Sequence, residues 1–136
     1  ARLSDEISVV KEGMLARNLP VTAMHDVTEG GVLGALHEMC TASGVGALIM
    51  LDKVPVLDVT AKICAKLDLD VFRLISSGCM LMAASDGDAV VDALQKNGIP
   101  ACMVGMFTQN VIMKAEGGMI SQVLPPDKDE IYKLST

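Results

Sequence analysis

A chain of 136 residues with a net charge of −6, 51% hydrophobic and 21% charged residues, is sized for one domain and too apolar for a disordered tail. Aromatics make up 2% and Trp is absent, so stacking platforms for nucleic acid are missing, and the negative charge opposes any polyanion. The longest apolar runs, GALIML and CMLMAA, fall far short of the about 20 residues of a bilayer span, so neither membrane nor nucleic acid is an expected partner.

In chain order, residues 3–18 predict a first helix capped by Ser4, with Asp5 and Glu6 at its positive end and Ile7, Val10 and Met14 on one face. A short strand is expected at 21–24, a polar turn at 25–31, and a second helix that turns Val32, Leu36, Met39 and Cys40 inward. Residues 46–56 read as a strand ending near Pro55. Asp58 is the expected cap of a third helix carrying Val59, Ile63 and Leu67 at helical spacing, with a further turn from Asp70 to Ile75. The apolar run GCMLMAAS suits a strand covered on both faces. Ser85 and Asp88 resemble a capping pair before the next helix, which Gly98 closes. Three strands follow at 101–108, 110–115 and 119–123, with turns at Asn110 and Gly117-Gly118, and a short helix after Pro125-Pro126.

Helices alternating with strands, then a meander, define an α/β domain with a mixed sheet over 1–136. Its expected core includes Val32, Leu36, Ile49, Ile63, Leu81, Met82, Leu94 and Val104. Ten Met residues are expected to fill irregular gaps in a core with few rings. Cys40, Cys64, Cys79 and Cys102 form no CxxC motif, and all four sit among apolar neighbours. Buried, reduced thiols in a cytoplasmic protein are expected, with no metal site.

The stretch Met24-His25-Asp26-Val27-Thr28-Glu29-Gly30-Gly31 joins a strand end, a polar turn and a helix start. Unpaired N–H groups at a helix N-terminus suit phosphate, and glycines let a ligand approach the backbone. His25 could move a proton, and Asp26 could orient it or hold a metal-bound water. Equally, Asp26 or Thr28 could only cap the helix, and Gly30-Gly31 only allow close packing. Ser76-Ser77-Gly78 is a second backbone-rich loop, or an ordinary turn. His37, Lys114 and Glu116 read as surface residues, and no P-loop or dinucleotide fingerprint is present.

The run AMHDVTEGGVLGALHEM resembles the His-Asp-x-Thr-x-Gly-Gly motif in the C-terminal domain of the AIR synthase superfamily. The VPV before the third helix, SSG before an apolar strand, VGMFT and PPDKDEIY are similar to its hydrogenase-maturation, HypE-like branch. That resemblance implies a three-layer α/β/α domain that closes a cleft against an N-terminal domain absent from this chain. The N-terminal domain would carry most ligands for ATP and magnesium and form a homodimer in the full-length protein. The activity implied is ATP-driven activation of a substrate oxygen, with no cofactor held tightly by this chain alone. His25 and Asp26 would be catalytic, and Thr28, Gly30, Gly31, Ser76, Ser77 and Gly78 would face phosphate or another ligand. Two positions depart from the branch: Glu29 stands where many relatives have Arg, and Ser77 where they have Glu. The chain also ends Leu134-Ser135-Thr136 where that branch ends in a Cys that carries the carbamoyl group. A non-catalytic ligand- or partner-binding module on the same fold is the alternative.

Overall fold

The computed structural model describes residues 7–134. The elements are α1 (Val10–Ala16), β1 (Val21–Asp26), α2 (Gly31–Ser43), β2 (Gly46–Met50), α3 (Asp58–Leu67), β3 (Met80–Ala84), α4 (Gly87–Lys96), β4 (Gly105–Thr108), β5 (Ile112–Glu116) and β6 (Met119–Gln122). Short 3-10 turns cover Leu51–Lys53, Val71–Arg73 and Glu130–Leu134. The α/β class and the mixed sheet agree with the sequence reading. The strands divide into an antiparallel pair β1-β3 and a four-stranded sheet ordered β4-β2-β5-β6, in which only β2 and β5 run parallel.

Period-2 alternation explains how the pair is covered. His25 and Leu81 are cross-strand partners, and Leu81 packs with Val27, Leu33, Leu36, Ile49 and Val123 in the main core built around α2. Met82 and Ala84 join a second cluster with Val90, Leu94 and Ile99 near α4, together with Leu15 in α1 and Leu19 after it. The β1-β3 pair therefore lies between two apolar clusters, one under α2 and one under α4. In the larger sheet, Ala47 and Ile49 face the main core, while the opposite face carries the exposed Met106 and Ile120.

Val32, Leu36, Met39 and Cys40 are buried as the helical spacing of α2 implies. Ile49 and Leu94 are buried too, and Leu81, Met82 and Val104 pack half-buried on the cores. Ile63 is a correction: Val59, Ile63 and Leu67 form an apolar stripe on α3, yet all three are exposed and Cys64 is the buried residue of that helix. Spacing defines a face, but only the neighbouring elements decide whether anything covers it. The same holds for Ile7, Val10 and Met14, which are exposed, while Ala16 is buried. The expected cap at Ser4 and the charges of Asp5 and Glu6 lie outside the described residues.

Capping differs at two helices. Asp58 begins α3, whose N-cap is Leu57, with no side-chain cap. For α4 the cap is Asp86, whose Oδ1 accepts the Ala89 N–H at 3.0 Å, rather than Ser85. Asp86→Ala should lower stability by about 0.5–2 kcal/mol and Ser85→Ala hardly at all, measured by urea unfolding.

Cys40 and Cys64 are buried, but Cys79 and Cys102 are exposed, against the expectation of four buried thiols. All four are free. A thiol reagent should therefore reach two cysteines in the native chain and four after denaturation without reductant. Desolvation of its sulfur by neighbouring atoms, with the Cys102 thiol nearby, pushes the Cys79 thiol up, so it should react slowly near neutrality although it is accessible.

Candidate functional site

The polar turn begins inside β1 rather than after it, because Met24, His25 and Asp26 still pair with Met82, Leu81 and Met80. The antiparallel register brings the end of β1 beside the start of β3, and the Val27 N–H continues the ladder by donating to the Cys79 carbonyl at 2.8 Å. The His25–Gly31 loop and the exposed Ser76-Ser77-Gly78 turn consequently share one end of the strand pair. Gly78 adopts φ 94°, and the Cys79 N–H closes that turn on the Ser76 carbonyl at 3.3 Å. A small, largely apolar cavity of about 140 Å³ behind it is lined by Val32, Val54, Phe72, Ser76 and Cys79.

His25 is held at both ring nitrogens. Nε2 lies 2.7 Å from Glu38 Oε2 on α2, and Nδ1 lies 2.7 Å from the Asp26 carbonyl. A carbonyl and an ionised carboxylate both accept, so the arrangement suits an imidazolium donating from both nitrogens. Burial acts to lower the His25 pKa, but the Asp26 carbonyl and the Glu38 carboxylate outweigh it, and the net shift is upward. His25 is thus a poised proton donor more than a free base. Glu38 went unnoticed in the sequence. The signal was present, since residue 38 lies on the second turn of a helix whose start follows His25 by six residues.

Asp26 and Thr28 are exposed and neither caps α2. The helix starts from Gly30 in the left-handed region, φ 84°, with no side-chain cap of its own. The Gly30 N–H instead donates to Asp129 Oδ2 at 2.6 Å, and the Gly31 N–H donates to the Thr28 carbonyl at 3.1 Å. Two backbone donors expected to face phosphate are therefore occupied. Gly31 has a packing role: φ is +65°, and a Cβ there would lie 2.6 Å from the Phe72 carbonyl oxygen. His37 is half-buried, with Thr41 Oγ1 3.4 Å from its Nδ1, and Lys114 pairs with Glu116 at 3.7 Å on the hairpin.

The loop's surroundings are acidic. Asp26, Glu29 and Glu38 are exposed around the single His25. Magnesium prefers near-octahedral oxygen ligands supplied partly by substrate. Among the described residues no three His, Cys, Asp or Glu side chains gather into a set that could hold a metal. Asp26 could contribute one ligand, and the described residues place no further pair of such side chains beside it. Nor does any described helix have the length and apolarity to cross a membrane.

The mixed α/β unit, with its strand-end His-Asp turn and paired-glycine helix start, has the features of a C-terminal domain of the AIR synthase kind. The chain belongs to the family described as AIR synthase related protein, C-terminal domain, whose model matches residues 4–132. It is 36% identical over 83 residues to a hydrogenase expression/formation protein of Methanocaldococcus jannaschii, covering 61% of this chain and 25% of that protein. The E. coli hydrogenase maturation protein HypE superposes with a TM-score of 0.80 at 25% identity, over 90% of this chain and 41% of HypE. A HypE crystallised in complex with ATP matches with a TM-score of 0.73 at 18% identity, over 81% of this chain and 37% of that one, which speaks to the fold alone. The chain spans about a quarter of the curated relative and about two-fifths of the structural ones.

Proposed function

We propose that this chain is the C-terminal domain of a longer ATP-dependent protein of hydrogenase maturation or a closely related activation of a substrate oxygen. The observation that carries the reading is the placement of His25, at the tip of β1, beside the Ser76-Ser77-Gly78 turn at one end of the strand pair. Both loops would face a cleft completed by an N-terminal domain, and the longer protein would be a homodimer in the cytoplasm. In that cleft His25 would deliver a proton to the departing or activated oxygen, with Asp26 beside it. Thr28 would contact ligand from the exposed side of the loop, and Ser76, Ser77 and Gly78 would offer hydroxyl and backbone groups. Gly30 and Gly31 serve the site indirectly, by setting the angle of α2. ATP would bring its magnesium, whose remaining ligands would come from the other domain.

The 136-residue chain alone should then hydrolyse no measurable ATP. Calorimetry with magnesium-ATP should find affinity weaker than micromolar, that is, less favourable than about −8 kcal/mol. The longer protein should consume ATP. Micromolar binding to the isolated chain would relocate the nucleotide site to this domain. A longer protein that binds its ligand without consuming ATP would favour the second reading, a binding module, to which the absence of a carboxylate at Ser77 lends support.

A further inference from the structure

The four cysteines divide into two kinds. Cys40 and Cys64 are buried on α2 and α3, whereas Cys79 and Cys102 are exposed on irregular backbone. Cys79 stands between the Ser76-Ser77-Gly78 turn and the first residue of β3, and its N–H closes that turn on the Ser76 carbonyl at 3.3 Å. Cys102 lies between Pro100 and β4, in a segment fastened to β2 by the Met50 N–H, which donates to the Val104 carbonyl at 2.7 Å. The two thiols meet at one wall. Cys102 Sγ donates to the Lys53 carbonyl at 3.4 Å, and the next residue, Val54, lines the cavity of about 140 Å³ together with Cys79. The sulfurs are close enough for a Cys102 thiolate to push the Cys79 thiol up.

We propose that Cys79 and Cys102 form a reversible dithiol–disulfide pair, whose bridge fastens the Ser76-Ser77-Gly78 turn to the 101–104 segment beside that cavity. The oxidant is a small-molecule disulfide. One cysteine thiolate attacks it, forming a mixed disulfide and releasing one small thiolate. The second cysteine thiolate then attacks the protein sulfur of the mixed disulfide, closing the bridge and displacing the other small thiolate. Two protein thiols are oxidised, the reagent is reduced to two thiols, and the cysteine protons end on those thiols. A disulfide demands a Cα separation of about 4.4–6.8 Å and a narrow dihedral range. Irregular backbone at both cysteines can make that adjustment, whereas Cys40 and Cys64 are fixed on separate helices and shielded from the reagent. The bridge would tie the β1-β3 pair to the four-stranded sheet, which shares no strand with it. Any consequence for ligand handling rests on reading the Ser76-Ser77-Gly78 turn as a ligand loop; the bridge itself does not.

The test incubates the 136-residue chain, as wild type, Cys79→Ser and Cys102→Ser, with oxidised glutathione in mildly alkaline buffer, where thiolates form. Free thiols are counted in denaturant, and disulfides are located by non-reducing peptide mapping. Wild type should fall from four free thiols to two, as a monomer carrying a Cys79–Cys102 linked peptide pair, and recover all four in dithiothreitol. Each serine variant should stop at one bound glutathione, on the cysteine that remains exposed. In the bridged chain, amide exchange at Cys79 should slow about tenfold, because opening of the turn is restrained. Glutathione on both exposed cysteines without a bridge overturns the proposal, as do bridges between chains, pairing with Cys40 or Cys64, or no reaction. A bridged chain whose Cys79 amide exchanges at the reduced rate overturns the fastening of the turn. Should either variant fail to fold, the wild-type map decides alone. ATP and turnover enter none of these readouts, so failure of the catalytic reading and failure of the thiol pair are separate results.

Discussion

Replacing His25 by Ala in the longer protein is expected to lower ATP-dependent turnover about 10²–10⁴-fold, the range for loss of a positioned proton carrier. The melting temperature should barely move. His25 is linked to Glu38, which is 59% exposed, and an ion pair at such a site contributes about 0–1 kcal/mol. The sign of the pH dependence follows from the upward pKa shift. The pair's contribution is complete below the unfolded value of 6.5 and fades as pH rises through the higher folded value. The small stability gap between wild type and His25→Ala should therefore be widest in mildly acidic buffer and close on the alkaline side. Glu38→Gln removes the charge that holds the imidazolium. It should move the pH limb governed by His25 toward lower pH while leaving turnover at its optimum less affected than His25→Ala does. Asp26→Asn is a cleaner probe than a capping role would allow: Asp26 is exposed and caps nothing, so stability should stay within about 0.5 kcal/mol while turnover falls. A His25→Ala protein that melts much lower yet turns over normally would make His25 structural.

The second large effect is expected at Gly31. An alanine there must adopt φ +65° and place its Cβ 2.6 Å from the Phe72 carbonyl oxygen, 2.7 Å from that of Leu74 and 2.9 Å from the Arg73 carbonyl carbon. The left-handed conformation costs about 1–2 kcal/mol and the backbone clash about 1–3 kcal/mol, so Gly31→Ala should lose roughly 2–5 kcal/mol. Against a total of about 5–15 kcal/mol, that leaves a marginal domain. Gly44→Ala is the control: it shares φ +65° but meets nothing within 4 Å, so only the conformational part should appear in urea unfolding. Equal losses at the two positions would mean that the 71–74 segment yields, and that Gly31 is not the contact point between α2 and the segment leading into the Ser76 turn.

Several features followed from local chemistry alone. The apolar period of α2 placed Val32, Leu36, Met39 and Cys40 inward, and they are buried, although the fold covers the first turns of α2 on every side, from Gly31 to Leu36. Paired glycines marked the 117–118 turn, where both take positive φ. The His25–Gly31 motif and the family it signals were visible in a single run of residues. Other features depended on which distant segments meet. The exposed stripe of Val59, Ile63 and Leu67 has the same spacing as the buried face of α2, and only the lack of a covering layer among the described residues separates them. Glu38 reaches His25 because α2 folds back over β1, and Ser76 stands beside the motif because β3 runs antiparallel to it. The partner of the Gly30 N–H comes from Asp129, 99 residues away. A helix start advertises its unpaired donors in sequence, but which acceptor satisfies them is settled by whichever segment the fold delivers there, and here that segment is the chain's own C-terminal turn.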